Sequence, residues 1–370
     1  MKEHRAILLR QKIMSKDTNG REREPDSFLR THKAILSRLR MLRRYKGDPE
    51  SPNIMHLAVT DKCNMSCPFC LYKKDNKNYK LLDVKKAESL IEDIDSPIVL
   101  ISGGEPLLGN EILETTRKIT KICRERGKIT CILTNGMTLK RIVAKDYPEF
   151  RPGSKFMFQI SIDGLKDVHD SLRGHFDLII DNIQYAKQSG HLVYTNTVVG
   201  NSNIGSLNET VKFISGFSNR IYLNPMVNSG NDLSKVELKK LGDFIINNQN
   251  IMIGNSVNFG KFLKGERALK CMFHSLISVT PTGKIKFPCY CFAEGAEYVD
   301  SFQEYLEKVR EKKTFFEEKS ATQCRSCYTH CLHEADVYAH HYLNEIFEQT
   351  KRPVCVYRKY IAPLFSRIIP

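Results

Sequence analysis

Residues 60–71 read TDKCNMSCPFCL and place Cys63, Cys67 and Cys70 within eight residues, in a C-x3-C-x2-C spacing. Fully extended, such a stretch spans only about 25 Å, so the chain has to curl for three sulfurs to converge on one site. A structural zinc site closes with four ligands, and the loop holds no further Cys or His. Three thiolates instead suit an iron–sulfur cube in which one iron stays open to a ligand. The loop follows an apolar, β-prone run, Ile54–Thr60. It therefore falls at the C-terminal end of the first predicted strand, where parallel-barrel enzymes gather their active sites.

Outward from the loop, β-prone runs alternate with helical patterns. Strands are predicted at Ile54–Thr60, Ile98–Ser102, Ile129–Thr134, Phe156–Ile162, Leu192–Val199 and Arg220–Asn224. Helical periodicity is expected near 84–94, 110–126, 138–146, 176–189, 206–216 and 234–249. Such alternation predicts consecutive right-handed βαβ units on a parallel sheet. Six units are two short of a closed barrel, which predicts a partial (β/α)6 TIM-like barrel of the α/β class. The alternation breaks near residue 250 and gives way to a hairpin pattern, LISVTPTGKIKFPC, and a cysteine-rich stretch. The expected organisation is a basic extension (1–51), a barrel (52–255), a small cysteine-rich C-terminal extension (256–356) and a tail (357–370).

Composition narrows the setting. The 12 cysteines are clustered, three at 63–70 and seven at 271–355, which in a reducing compartment reads as metal binding and not as disulfides. Cys123 and Cys131 stand apart in apolar periodic segments and are expected in the core. No run approaches a membrane span, and the N-terminus lacks the apolar core of a secretory signal, so a cytoplasmic protein is expected. Of a net charge of +15, residues 1–47 contribute +9. Phe28, Ile35, Leu36, Leu39 and Leu42 give this segment a helical apolar stripe. It would either pack on the main domain or touch RNA, an anionic membrane surface or an acidic peptide.

The loop CNMSCPFC, with an aromatic residue before its last cysteine, resembles the signature of the radical S-adenosylmethionine (radical SAM) enzymes. SGGEP (102–106), TNG (134–136) and SIDG (161–164) follow in order at the ends of the second, third and fourth predicted strands, and match further motifs of that family. The resemblance covers about residues 52–250. It implies a [4Fe–4S] cluster on Cys63, Cys67 and Cys70, with S-adenosylmethionine on the fourth iron. It also implies that Gly103, Gly104 and Glu105 receive the methionyl amino group, that Ser161 and Asp163 face the ribose, and that Phe69 flanks the adenine. Reductive cleavage would yield a 5′-deoxyadenosyl radical that abstracts hydrogen from a substrate, fed by a reductant such as flavodoxin or ferredoxin. No further catalytic side chain is assigned.

Cys271 and Cys289 bracket the hairpin, Cys324 and Cys327 form a CxxC, and Cys331 follows. Two distant pairs are a common way to assemble four sulfur ligands for zinc or iron–sulfur. After such a core they resemble the SPASM and twitch auxiliary-cluster extensions. The resemblance implies one auxiliary [4Fe–4S] cluster on Cys271, Cys289, Cys324 and Cys327, with Cys331, Cys291 and Cys355 as further ligand candidates. A peptide or protein is the first substrate expected. A sugar- or aminocyclitol-like small molecule for dehydrogenation or epimerisation is the alternative. RNA modification and a non-catalytic, metal-stabilised nucleic-acid binder rest on charge alone, so nucleic acid is not an expected partner.

Overall fold

The computed structural model describes residues 49–70, 78–226, 231–249, 253–268, 272–289 and 296–323, with side chains as far as residue 312. The chain divides into two units, Met1–Lys46 and Gly47–Pro370, and all described residues belong to the second. The expected basic N-terminal helix lies outside the described residues.

Six parallel strands form the main sheet: β1 (Ile54–Thr60), β2 (Ile98–Gly103), β3 (Ile129–Thr134), β4 (Phe156–Ser161), β5 (Leu192–Val199) and β6 (Arg220–Pro225). They stand in sequence order, as consecutive βαβ units require, and the sheet is open. The intervening helices are α1 (Val84–Asp93), α2 (Asn110–Glu125), α3 (Leu139–Ala144), α4 (Lys166–Leu172), α5 (Phe176–Gln188) and α6 (Leu207–Ser215). After β6 come α7 (Lys235–Asn247) and α8 (Val257–Leu263). The short α4 and α8 carry too little periodicity to be read from sequence, yet Ser256 caps α8 by accepting the Phe259 N–H.

The strands alternate between two faces. Met55, Leu57, Val59, Val99, Ile101, Phe158, Ile160 and Leu223 join the apolar core with residues from the helices. The opposite face presents half-buried groups, among them Tyr194, Asn196 and Asn224. This face is the more polar one, and it leads up to the ends of the strands where the motifs lie.

The hairpin past residue 270 carries the sheet on beyond β1. Strand β7 (Leu276–Val279) pairs in parallel with β1, Ile54 opposite Leu276. Antiparallel β8 (Ile285–Phe287) and β9 (Glu297–Val299) follow, giving the order β6-β5-β4-β3-β2-β1-β7-β8-β9. One sheet thus crosses the boundary expected at residue 255, because the open edge of β1 is satisfied by an apolar strand. The turn forms where it was predicted, with Gly283 at φ 78° and its N–H donated to the Thr280 carbonyl. The last described element is α9 (Phe302–Gln323).

Candidate active site

The cysteine loop is closed at its base. Thr60, the last residue of β1, donates its hydroxyl to the Lys80 carbonyl at 2.8 Å, and Asp61 accepts the Lys80 N–H at 2.7 Å. Within the loop the Cys70 N–H donates to the Cys67 carbonyl at 3.2 Å, the curl that the spacing demanded. None of Cys63, Cys67 and Cys70 is in a disulfide; the first two are half-buried and the third is exposed. Among the described residues no three His, Cys, Asp or Glu side chains converge on a point that could hold a single metal ion. An iron–sulfur cube does not ask for that, since each thiolate binds a different iron. Three cysteines on one curl, with no fourth in the loop, fit such a cluster.

The glycine-rich motif is sewn directly onto this loop. The Gly104 N–H donates to the Thr60 carbonyl at 2.6 Å and the Glu105 N–H to the Lys62 carbonyl at 2.8 Å. A Cβ on Gly103 would lie 2.2 Å from the Thr60 carbonyl oxygen, and one on Gly104 2.0 Å from that of Lys62. Both positions therefore require glycine on steric grounds, and Gly103 also has φ 130°. Glu105 is wholly buried. Its carboxylate accepts the Leu107 N–H (3.0 Å), the Thr134 hydroxyl (2.7 Å) and the Asn135 N–H (2.8 Å). Burial outweighs these donors and lifts its pKa to about 7. With both oxygens engaged inside the protein, Glu105 binds the SGGEP and TNG loops together, and what this motif offers a ligand is backbone.

TNG extends the chain of contacts back to the cysteines. The Asn135 amide donates to Asn64 Oδ1 at 2.8 Å and lies 4.0 Å from Cys63 Sγ. Asn182 of α5 donates to the Gly136 and Met137 carbonyls at 2.8 and 2.9 Å, fixing the turn from behind.

Asp163 of SIDG, expected to face a ribose, is engaged within the protein. Its side chain is fully buried, one oxygen accepting the Val198 N–H at 2.8 Å and the other Arg173 Nε at 2.5 Å. Four positions earlier on α4, His169 accepts the Asp163 N–H through Nδ1 at 3.2 Å. Asn203 ties down the Asp163 carbonyl at 2.7 Å. The product is a fixed Arg173, whose guanidinium sits 4.9 Å from the centre of the Phe69 ring. Burial opposes the Arg173 charge, but Asp163 and, more weakly, Cys67 and Cys70 hold its pKa above the ordinary guanidinium value. Ser161 is half-buried at the tip of β4, level with Asn196 of β5. Asn196 in turn accepts a hydrogen bond from Asn224 of β6.

Several of these residues were not singled out by sequence. His169 lies on a helix too short to announce itself and Arg173 caps its end, while Asn135 was quoted only as part of TNG, with no role of its own. A third set is invisible to sequence because it spans three strands. His56 Nδ1 lies 3.1 Å from Ser278 Oγ, and its Nε2 is hydrogen-bonded to Ser102 Oγ, which links β7, β1 and β2. Burial lowers the His56 pKa to about 4. Cys123 and Cys131 are buried as expected, and burial pushes the Cys123 thiol up to about 12. Cys289 is buried just beyond β8, whereas Cys271, Cys291, Cys324, Cys327, Cys331 and Cys355 lie outside the described residues.

Comparison with known families accounts for this arrangement: residues 57–214 match the radical SAM superfamily. The chain carries a radical SAM domain. Residues 229–351 match a second family, a domain of unknown function (DUF3463). The chain is similar to the Fe-coproporphyrin III synthase of Methanosarcina barkeri, 28% identical over 153 residues, 40% of this chain and 37% of that protein. It is likewise similar to a GTP 3′,8-cyclase of Clostridium perfringens, 28% identical over 200 residues, 51% of this chain and 56% of that protein. The chain thus spans only about half or less of the length of these curated relatives. In fold it is similar to Streptococcus suis SuiB bound to S-adenosylmethionine, with TM-score 0.57, 16% identity, and coverage of 70% of this chain and 66% of that one. It is also similar to anSMEcpe with bound AdoMet, with TM-score 0.55, 19% identity, and coverage of 71% and 82%. The radical SAM fold in this chain is the open, partial parallel barrel. No described helix is long and apolar enough to cross a membrane.

Proposed function

We propose that this radical SAM enzyme holds a [4Fe–4S] cluster on Cys63, Cys67 and Cys70 and binds S-adenosylmethionine between that loop, the Gly103–Gly104 backbone and Ser161. One observation carries the reading. Four motifs from four strand ends are joined to one another, through Glu105 and Asn135 on one side and through Asp163 and Arg173 on the other. When bound, the cluster supplies the electron that splits S-adenosylmethionine into methionine and a 5′-deoxyadenosyl radical, which takes hydrogen from the substrate. The chain's own groups bind and orient. Gly103 and Gly104 let backbone approach closely, Ser161 offers a hydroxyl at the tip of β4, and Phe69, held under Arg173, supplies an apolar flank for the adenine. Asp163 fixes Arg173 in this scheme, and the ribose falls to Ser161.

The substrate we favour is a small molecule. Relatives at 28% identity are named for a porphyrin product and for GTP cyclisation. The peptide reading has a narrower support: SuiB bound to precursor peptide SuiA and anSMEcpe with bound Cp18Cys peptide share the fold at 16 and 19% identity. The auxiliary [4Fe–4S] cluster on Cys271, Cys289, Cys324 and Cys327, with Cys331 as alternative ligand, belongs to the same proposal. So do residues 52–255 as the catalytic barrel, an acidic flavin or iron–sulfur reductant, and a cytoplasmic setting.

The test is anaerobic reconstitution with iron and sulfide, then reduction with S-adenosylmethionine present. The proposal expects 5′-deoxyadenosine from the parent chain and none from Cys67→Ala; no nucleoside from either sinks it. Iron should reach about eight per chain for two cubes, and about four would remove the auxiliary cluster. Stimulation of turnover by a protease-treated ultrafiltrate of cell extract supports a small molecule. Loss of that stimulation on protease treatment supports a peptide.

A further inference from the structure

Every turnover of the proposed chemistry consumes an electron, which has to reach the cysteine loop from outside. The substrate and S-adenosylmethionine use the mouth of the barrel. A second approach runs between the segments that follow β1, β2 and β3. Two confluent cavities of about 410 and 480 Å³ meet at Leu108, Gly109 and Asn110, forming one groove along the start of α2. One end of the groove is walled by Lys62, Cys63 and Asn64, so it reaches a cluster cysteine directly. The other end is walled by Arg117, Arg141 and Lys145.

The charges along it are uneven. Its acids are engaged: Glu111 accepts the Tyr79 hydroxyl, and Glu114 pairs with Arg117 at 2.8 Å. Lys62 Nζ rests 4.2 Å from the centre of the Tyr79 ring. Among the described residues Lys62, Arg141 and Lys145 form no ion pair, whereas Arg117 pairs with Glu114 and Glu149. Four cations, Lys62, Arg117, Arg141 and Lys145, thus face two acids, Glu111 and Glu114, along a groove that ends at Cys63, on a chain of net charge +15.

We propose that this groove is the docking surface for an acidic one-electron carrier protein of the flavodoxin or ferredoxin type, and that Cys63 is the side of the cluster facing it. The inference rests on the cluster assignment to Cys63, Cys67 and Cys70. It divides the molecule between a flank that receives electrons and a barrel mouth that receives substrate, so the two do not compete. Charges at the rim of such a contact act mainly on the association rate and are weakened by salt.

The experiment uses the reconstituted full chain and follows loss of the cluster's visible absorbance in a stopped-flow instrument. Reduced flavodoxin is one electron source, and photoreduced deazaflavin, a small uncharged reductant, is the other. Arg141→Glu combined with Lys145→Glu should slow reduction by flavodoxin by about tenfold or more at low ionic strength and flatten its salt dependence. Reduction by deazaflavin, iron content and thermal stability should not change, because both side chains are exposed. An unchanged flavodoxin rate overturns the proposal, as does an equal slowing with both reductants. Failure of the cluster assignment itself would look different: the parent chain would make no 5′-deoxyadenosine even with deazaflavin.

Discussion

Replacing Asp163 with asparagine separates the two roles this residue could have. The substitution keeps the size and the oxygen that accepts the Val198 N–H, and removes only the charge facing Arg173. That charge is buried, with side-chain exposures of 0% for Asp163 and 11% for Arg173. Removing one partner of a buried pair leaves an uncompensated ion and costs about 3–5 kcal/mol. At about 2–4 °C per kcal/mol for a domain of roughly 150–250 residues, the melting temperature should fall by about 6–20 °C. Thermal or urea unfolding of the cluster-free chain measures this without any cofactor. Arg173→Met in the same chain should recover most of the loss, because a pair removed together leaves no orphan charge. A ribose-binding Asp163 would behave otherwise, with stability near that of the parent and a raised KM for S-adenosylmethionine. That result, or a double variant as unstable as the summed singles, would refute the pairing argument.

Gly104→Ala should abolish cluster loading, read as loss of visible absorbance after reconstitution, since its Cβ would stand 2.0 Å from the Lys62 carbonyl oxygen and push the cysteine loop off β2. Glu105→Ala strands three buried donors at about 1–3 kcal/mol each and should lower the urea midpoint more than Asp163→Asn does. Acid should destabilise the fold through His56 and His169, both lowered from 6.5 to about 4 by burial. Between those values the unfolded chain binds protons that the folded chain refuses, so their stabilising share is complete above about 6.5 and lost as pH falls towards 4. Glu105, raised to about 7, works oppositely and loses stability as pH climbs from about 4.5 to 7. His56→Gln should therefore flatten the acid limb of stability measured by urea titration, and an unaltered slope would contradict a neutral buried His56.

The six strands were legible because each is a short β-prone run closed by a loop signal, and Ile54–Thr60 is found with the bounds predicted. The motifs were legible through their resemblance to the radical SAM family, each falling at the end of a predicted strand. Their partners were not. Arg173 is one arginine among many until the fold sets it over Phe69, and His56 reads as a polar slip in a strand until Ser102 and Ser278 flank it. The partner of Asp163 was hidden for the same reason: a carboxylate at a strand end looks ligand-ready in sequence, and only packing reveals the guanidinium paired with it. The parallel pairing of β7 with β1 was hidden as well, because strand order is set by edges that sequence does not show.

The placement of buried charge gives a reason for this design. Glu105 and the Asp163–Arg173 pair cost desolvation that apolar residues would not, so their presence is poorly explained by stability. What they share is a position beside the cysteine loop. Glu105 reaches it through Asn135 and Asn64, and Arg173 reaches it through the Phe69 ring. Apolar packing on the loop would tolerate sliding, whereas hydrogen bonds and an ion pair fix angle as well as distance. On the proposed assignment, a loop with only three cluster ligands gives up the fourth anchor that would otherwise hold it in place. Two polar braces, one on each side, supply the rigidity that the missing ligand cannot. Loosening either brace should therefore disturb cluster geometry before it unfolds the barrel.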